Sequence, residues 1–258
     1  MSPRKVCVVT GSSSGIGAAT VRLYASRGWD VVVNFSRDPA PAEAVAAECR
    51  ALGAAFDTQA LVVKADIASD ADCCRLAAAV RERFGRADVL VNNAGTTKFV
   101  PLKDLDGLQA ADFHAIYAVN VIGSFQMTRA LVPLLQAQTG AAVVNVSSVA
   151  GSMGRGSSIA YMASKGAINA MTAGLARALG PGIRVNAIAP GMVETSWLKF
   201  GLGDNYDRTE RAYKKVAALE AVVSPEEVAE TAWYLGAAAT KTTGEILLVD
   251  AGWKLTKA

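Results

Sequence analysis

Short apolar runs rich in β-branched residues recur along the chain at Val6–Val9, Val31–Val33, Leu61–Val63, Val89–Val91, Val143–Val146, Arg184–Ile188 and Ile246–Val249. Most lack polar alternation, so both faces of each strand are expected to be buried, as in a parallel sheet covered on both sides. Between them apolar positions return at helical spacing, predicting helices over Ala18–Arg27, Ala42–Leu52, Ala71–Phe84, Ala111–Gln136 and Ala160–Leu179. Alternating strand and helix imply an open, doubly wound α/β sheet with helices on both faces. Right-handed crossovers make it a Rossmann-type layer, read as one domain over residues 1–258. The stretch 192–219 breaks the rhythm, with many charges and the aromatics Trp197, Phe200, Tyr206 and Tyr213. It is read as a lid rather than a surface excursion, because functional loops gather at the carboxyl ends of strands.

Composition narrows the picture. With 52% hydrophobic and 19% charged residues, the chain is not intrinsically disordered. The net charge of +3 is too small to argue for a nucleic-acid partner. Its only basic cluster, Arg208, Arg211, Lys214 and Lys215, has Glu210 within it and reads as a solvated helix face. Cys7, Cys49, Cys73 and Cys74 form no CxxC pair, and the single histidine, His114, cannot complete a Cys/His zinc site. No metal is expected, and the thiols are read as reduced in a cytoplasmic protein. The opening MSPRKVCVVTG carries only a short apolar run, so no secretory signal is expected. No uninterrupted apolar stretch reaches roughly 18 residues, so no membrane span is expected.

Candidate chemistry begins where the first strand ends, in Thr10-Gly11-Ser12-Ser13-Ser14-Gly15-Ile16-Gly17, directly before a helical pattern. Gly11 permits a tight turn, Gly15 lets backbone approach a pyrophosphate, and Gly17 lets the helix pack on the sheet. Free N–H groups and the helix dipole then favour an anion. The plain alternative is a strand–helix turn built of small residues. The fourth strand runs into Asn92-Asn93-Ala94-Gly95, which either leaves room for a cofactor or is a simple Asn/Gly turn.

Tyr161 and Lys165 are four residues apart, hence on one helix face. A neighbouring ammonium lowers a phenol's pKa and makes it a usable acid/base. Ser148 lies just past a buried strand, where its hydroxyl can face that helix. Asn120 sits among apolar neighbours and needs partners there. Either a buried water or a proton relay held by that water would satisfy it.

Taken together, TGSSSGIG, NNAG, Asn120, Ser148, Tyr161-Met-Ala-Ser-Lys165 and Pro190-Gly191 resemble the short-chain dehydrogenase/reductase family over most of the chain. The resemblance implies a seven-stranded Rossmann sheet and ketone–alcohol oxidoreduction. Tyr161 would be the general acid/base, and Ser148 would polarise the substrate oxygen. Lys165 would grip the nicotinamide ribose and depress the Tyr161 pKa, and Asn120 would hold a relay water. Pro190, Gly191, Val193 and Thr195 would cover the nicotinamide, and Asp66 and Ile67 would meet the adenine. Gly11, Ser13, Ser14, Gly15, Ile16 and Gly17, with Asn93, Ala94 and Gly95, complete the implied cofactor cleft. The helices near Ala111–Gln136 and Ala160–Leu179 resemble family dimer and tetramer contacts, so a homotetramer is expected. The chain is nearest the 3-oxoacyl-carrier-protein reductase branch. That branch docks its carrier with two arginines; Arg177 matches one position, and the other is Pro133. A small free ketone or alcohol is an equal substrate class. The rival reading is a non-catalytic dinucleotide sensor or scaffold, against which the Tyr161–Lys165 register speaks.

The second strand points to the cofactor. NAD enzymes place an acid at its end to bind the ribose 2′-OH. Here that position is Asn34, followed by Ser36 and Arg37, with the nearest acid, Asp38, beyond. The Arg37 fork suits a 2′-phosphate, and Asn34 and Ser36 would add neutral hydrogen bonds. NADP(H) is therefore expected, with NAD(H) as a second cofactor, since Ser14 stands where many NADP-dependent relatives carry a basic residue.

Overall fold

A branched Cβ fits the pleated surface and restricts the chain little there, so the β-branched runs form strands. In the computed structural model, which describes residues 4–255, these are β1 (Val6–Val9), β2 (Asp30–Phe35), β3 (Ala60–Lys64), β4 (Val89–Asn92), β5 (Ala141–Val146), β6 (Ile183–Pro190) and β7 (Ile246–Val249). The outermost residues of the expected 1–258 domain, 1–3 and 256–258, lie outside the described residues. The strands make one seven-stranded sheet in the order β3-β2-β1-β4-β5-β6-β7, with all neighbours parallel. Every residue of β1, β2, β4 and β5 is buried, as unbroken apolar runs require. The order reverses between β1 and β4, and a crevice opens there at the carboxyl ends of the strands.

The helices are α1 (Gly15–Ser26), α2 (Pro39–Leu52), α3 (Asp70–Phe84), α4 (Ala110–Tyr117), α5 (Ser124–Gln136), α6 (Ala150–Met153), α7 (Ile159–Leu179), α8 (Ser196–Leu202), α9 (Tyr206–Val216) and α10 (Pro225–Trp233). On one face of the sheet α1, α2 and α10 bring Val21, Tyr24, Val45 and Val228 onto Cys7, Val9, Val31 and Val33. On the other, α3, α5 and α7 bring Leu76, Val80, Met127, Leu131 and Ala176 onto Val6, Val8, Leu90 and Val143. The helix α10 lay outside the periodic segments. Its signal is Ser224-Pro225-Glu226-Glu227, which folds as a capping box between Ser224 and Glu227 with proline in the first turn.

The single helix expected over Ala111–Gln136 is interrupted. Between α4 and α5 the backbone makes a π-helical turn, Ala118–Gly123, that contains Asn120. The whole run Ala110–Gln136 spans 27 residues and is long and apolar enough to cross a membrane by length and composition. Polar residues punctuate it, so it contains no uninterrupted apolar stretch of spanning length. Here Met127, Leu131 and Leu135 of this run are buried against the sheet.

Between β6 and α10, helices α8 and α9 hold a separate small core of Met192, Tyr206, Tyr213, Ala217 and Val222. Tyr213 stacks on Trp253 at 5.4 Å between ring centres, and its hydroxyl donates to the Asp250 carbonyl at 2.7 Å. The basic row on α9 is a helix face, with Lys214 paired to Glu210 at 2.6 Å. Cys7, Cys49 and Cys73 are buried thiols and Cys74 is exposed, none in a disulfide. Among the described residues no group of three His, Cys, Asp or Glu side chains could hold a metal.

Candidate active site

The loop after β1 is fastened to the end of β4. The Thr10 hydroxyl accepts from the backbone N–H of Asn93 and of Ala94, each at 3.0 Å. The Asn93 amide donates back to the carbonyls of Thr10 and Gly11 at 2.9 and 3.0 Å. Gly11 and Gly15 hold φ of 60° and 53°, the left-handed region that favours glycine. A Cβ on Gly17 would lie 2.5 Å from the Asn93 amide nitrogen and 2.6 Å from the Gly11 carbonyl, so α1 approaches only because this position is bare. Ser14 stands at the N-cap of α1 without a capping hydrogen bond, and the first turn has no acid. The helix therefore presents free N–H groups and its positive dipole end beside the loop. Ser13 and Ile16 are part-buried around it. Across the crevice the Thr195 methyl would lie 3.4 Å from a Cβ on Gly15.

At the end of β2 the structure corrects one expectation. Asn34 is 2% exposed, and its side chain ties strand ends together rather than facing a ribose phosphate. Its Oδ1 accepts from the Gly11 N–H at 2.9 Å, and its Nδ2 donates to the carbonyls of Ala65 at 3.0 Å and Val63 at 3.3 Å. Ser36 and Arg37 lie exposed just beyond. Asp38 is not Arg37's partner; its carboxylate caps α2, accepting from the Ala40 N–H at 3.0 Å. At the end of β3, Asp66 is exposed, whereas Ile67 is buried and packs against the bare Cα of Gly123.

The two serines after β5 diverge. Ser147 turns into the protein, donating to Asn169 Oδ1 at 2.6 Å. Ser148 accepts from the Ala150 N–H at 3.1 Å, and its hydroxyl lies near enough to the Tyr161 phenol to favour the phenolate. Tyr161 and Lys165 share a face of α7, whose start is capped by the Ser158 hydroxyl accepting from the Tyr161 N–H at 3.3 Å. The Lys165 Nζ sits 5.5 Å from the centre of the Tyr161 ring and donates to the Val146 carbonyl at 2.8 Å. Lys165 is 4% exposed, and burial lowers its pKa from 10.5 to about 8. Burial also pushes the Tyr161 phenol up to about 12, with the Ser148 hydrogen bond pulling weakly the other way. The expected depression of that phenol by Lys165 is not among the influences on it, and burial sets the direction. The ammonium is bound to a strand-end carbonyl, and loss of water around the hydroxyl disfavours the phenolate more.

Asn120 is wholly buried, and its side chain is fully engaged. Its Oδ1 accepts from the Thr96 N–H at 2.8 Å, and its Nδ2 donates to the Thr96 carbonyl and the Ser164 hydroxyl, both at 3.0 Å. It staples the loop after Gly95 to the π turn and to α7. A Cβ on Gly95 would lie 3.4 Å from this Oδ1 and 3.8 Å from Lys165 Nζ. Beneath, the Asn92 amide donates to Thr128 Oγ1 at 3.0 Å and to Asn145 Oδ1 at 2.9 Å, and the Asn145 amide donates to Thr172 at 2.9 Å.

The opposite wall comes from the 192–219 stretch. Gly191, after Pro190, lies against the Tyr213 hydroxyl with no room for a Cβ, and Val193 is buried in a bridge with Val223. Helix α8 sets Trp197 over Tyr161, with ring centres 6.5 Å apart, and Phe99 packs on Trp197 at 5.7 Å. Gly201 of α8 lies directly under the Phe99 ring, where any side chain would collide. Phe99 was missed because it sits in an aperiodic loop; only its closeness to the NNAG turn marks it in the sequence. Arg177 and Pro133 are both exposed, on α7 and α5.

A sequence-family model described as short chain dehydrogenase matches residues 5–201. A protein assigned as ketoacyl reductase 2 of the granaticin polyketide synthase of Streptomyces violaceoruber is 42% identical over 247 residues, covering 96% of this chain and 95% of its own. A 3-oxoacyl-[acyl-carrier-protein] reductase of Synechocystis is 34% identical and covers 96% of each chain. A crystal structure assigned as a short-chain dehydrogenase/reductase of Burkholderia xenovorans superposes with a TM-score of 0.90 at 44% identity, over 99% of this chain and 100% of that one.

Proposed function

The chain belongs to the short-chain dehydrogenase/reductase family, and from that premise we propose that it is an NADP(H)-preferring ketoreductase interconverting a ketone and a secondary alcohol. The observation that carries this reading is the buried Lys165 ammonium set 5.5 Å from the centre of the Tyr161 ring, with Ser148 beside the phenol. It lies at the carboxyl end of the sheet, beside an uncapped helix N-terminus. The crevice fits a dinucleotide: Gly11, Gly15 and Gly17 leave backbone bare, and Asn93, Ala94 and Gly95 form its floor. Thr195, with Pro190, Gly191 and Val193, forms its opposite wall. A bound nicotinamide dinucleotide supplies or accepts the hydride. Asp66 and Ile67 border the adenine end, and Ser36 and Arg37 meet the 2′-phosphate in place of the engaged Asn34.

Ser148 orients the substrate oxygen, and Tyr161 gives or takes its proton. Lys165, buried beneath the ring, positions the ribose and carries its charge below about pH 8. Asn120 positions α7 through Ser164. The stretch 192–219 is the lid over the substrate, and its Trp197, with Phe99 packed on it from the loop after β4, favours a ketone with a sizeable apolar body. The reduced thiols and the relatives' resemblance support a cytoplasmic enzyme.

A phenol held up at about 12 keeps its proton at neutral pH, so Tyr161 is poised as an acid toward a carbonyl. In the reverse direction it must first lose that proton. The ketone-reducing rate should stay level through the neutral range, and the alcohol-oxidising rate should climb with pH. Tyr161→Phe should lose nearly all turnover and still bind cofactor in a fluorescence titration. General acid/base help is worth on the order of 10²–10⁴-fold, so retention of more than about a tenth of the activity would sink the assignment.

A further inference from the structure

A shallow cavity of about 280 Å³ is lined by Met153, Arg155, Trp253 and Lys254. It opens beside the segment that joins Ser148 to Tyr161. Gly156, next to Arg155, faces the Tyr161 ring, and a Cβ there would lie 3.6 Å from Tyr161 Cδ1. With consecutive Cα atoms about 3.8 Å apart, the Arg155 backbone is within roughly 9 Å of that ring edge. Trp253 is held flat against Tyr213, with 9° between the ring planes, and the Arg155 guanidinium lies over Trp253 at 5.2 Å from its centre. A guanidinium carries five N–H donors in a planar fork, which the contact with the ring does not hydrogen-bond. Neither the Arg155 nor the Lys254 side chain makes a hydrogen bond or ion pair among the described residues. Asp250, four residues before Lys254, is 6% exposed. Its two oxygens accept from the N–H groups of Gly252 and Lys254, each at 2.9 Å. Two cations thus border a cavity whose lining holds no counter-ion.

Resting on the ketoreductase reading, we propose that this cavity is a subsite for an anionic group, a carboxylate or phosphate, carried by the substrate at the end remote from its ketone. The Arg155 fork pairs with the anion's oxygens, Lys254 adds charge from the other side, and Met153 and Trp253 line the path of the apolar stem. A charge-assisted pair of this kind is worth tenfold or more in affinity, by roughly 1.5–3 kcal/mol.

The test compares keto acids from 3-oxobutanoate to 7-oxooctanoate with their methyl esters. The wild type should show a kcat/KM for the best acid at least about tenfold above its ester. That ratio should shrink with added salt and approach one in the Arg155→Gln/Lys254→Gln protein. Inorganic phosphate should compete with the acid and leave the ester alone. An ester-preferring wild type, an unchanged ratio in the double variant, or equal phosphate inhibition of acid and ester overturns the proposal. If neither ketone is turned over, the ketoreductase reading fails separately. The subsite is then read by titrating tryptophan fluorescence with 7-hydroxyoctanoate: a saturable change lost in the double variant supports it, and no change in the wild type overturns it.

Discussion

Adjacent residues at the strand ends take opposite roles by the direction in which each side chain leaves the backbone. Ser147 is buried against Asn169, whereas Ser148 meets Tyr161. Asn34 is buried among backbone carbonyls, whereas Arg37, three residues on, is exposed. Asp38 is engaged as the cap of α2, and Arg37 forms no ion pair among the described residues. Arg37→Ala should therefore lower kcat/KM with NADPH by roughly 10- to 150-fold, the worth of one charge-assisted contact, and leave NADH nearly unaffected. Steady-state rates with both cofactors decide it. Equal losses with both, or a wild type that prefers NADH, would remove Arg37 from the 2′-phosphate.

Elements set what a side chain can reach. Helix α8 carries a glycine in its last turn, Gly201, and the Phe99 ring lies where its side chain would be. That contact fixes Trp197 above Tyr161. Trp197→Ala should raise the ketone KM about 2- to 10-fold, the worth of an aromatic pair, with kcat nearly unchanged. Trp197 is 45% exposed, so thermal melting should shift little. A fall in kcat with KM constant would place Trp197 in the chemical step instead. The strands were legible in the sequence because buried parallel strands need unbroken β-branched runs, and the Tyr161–Lys165 pair because a helix brings residues four apart together. The Phe99–Gly201 contact was not, since it joins residues far apart in the chain. Nor was the π turn at Asn120, which departs from the 3.6-residue period that pattern reading assumes, or the effect of burial on Tyr161.

For the whole molecule, Ile122 and Phe125, 50% and 43% accessible on the π turn and α5, leave apolar surface for self-association, and the family resemblance predicts a homotetramer of the 26.7 kDa chain. Light scattering at micromolar concentration should give four times that mass, and a monomer would refute it. Along the sheet's carboxyl edge many of the fastenings are carboxamides: Asn34, Asn92, Asn93 and Asn145, with Asn120 beside them on the π turn. An amide neither titrates in the working range nor weakens with ionic strength as an ion pair does. The scaffold is therefore electrically silent beneath a site whose Tyr161 and Lys165 change charge, so acidity and salt can tune the reaction without loosening the frame that aligns it.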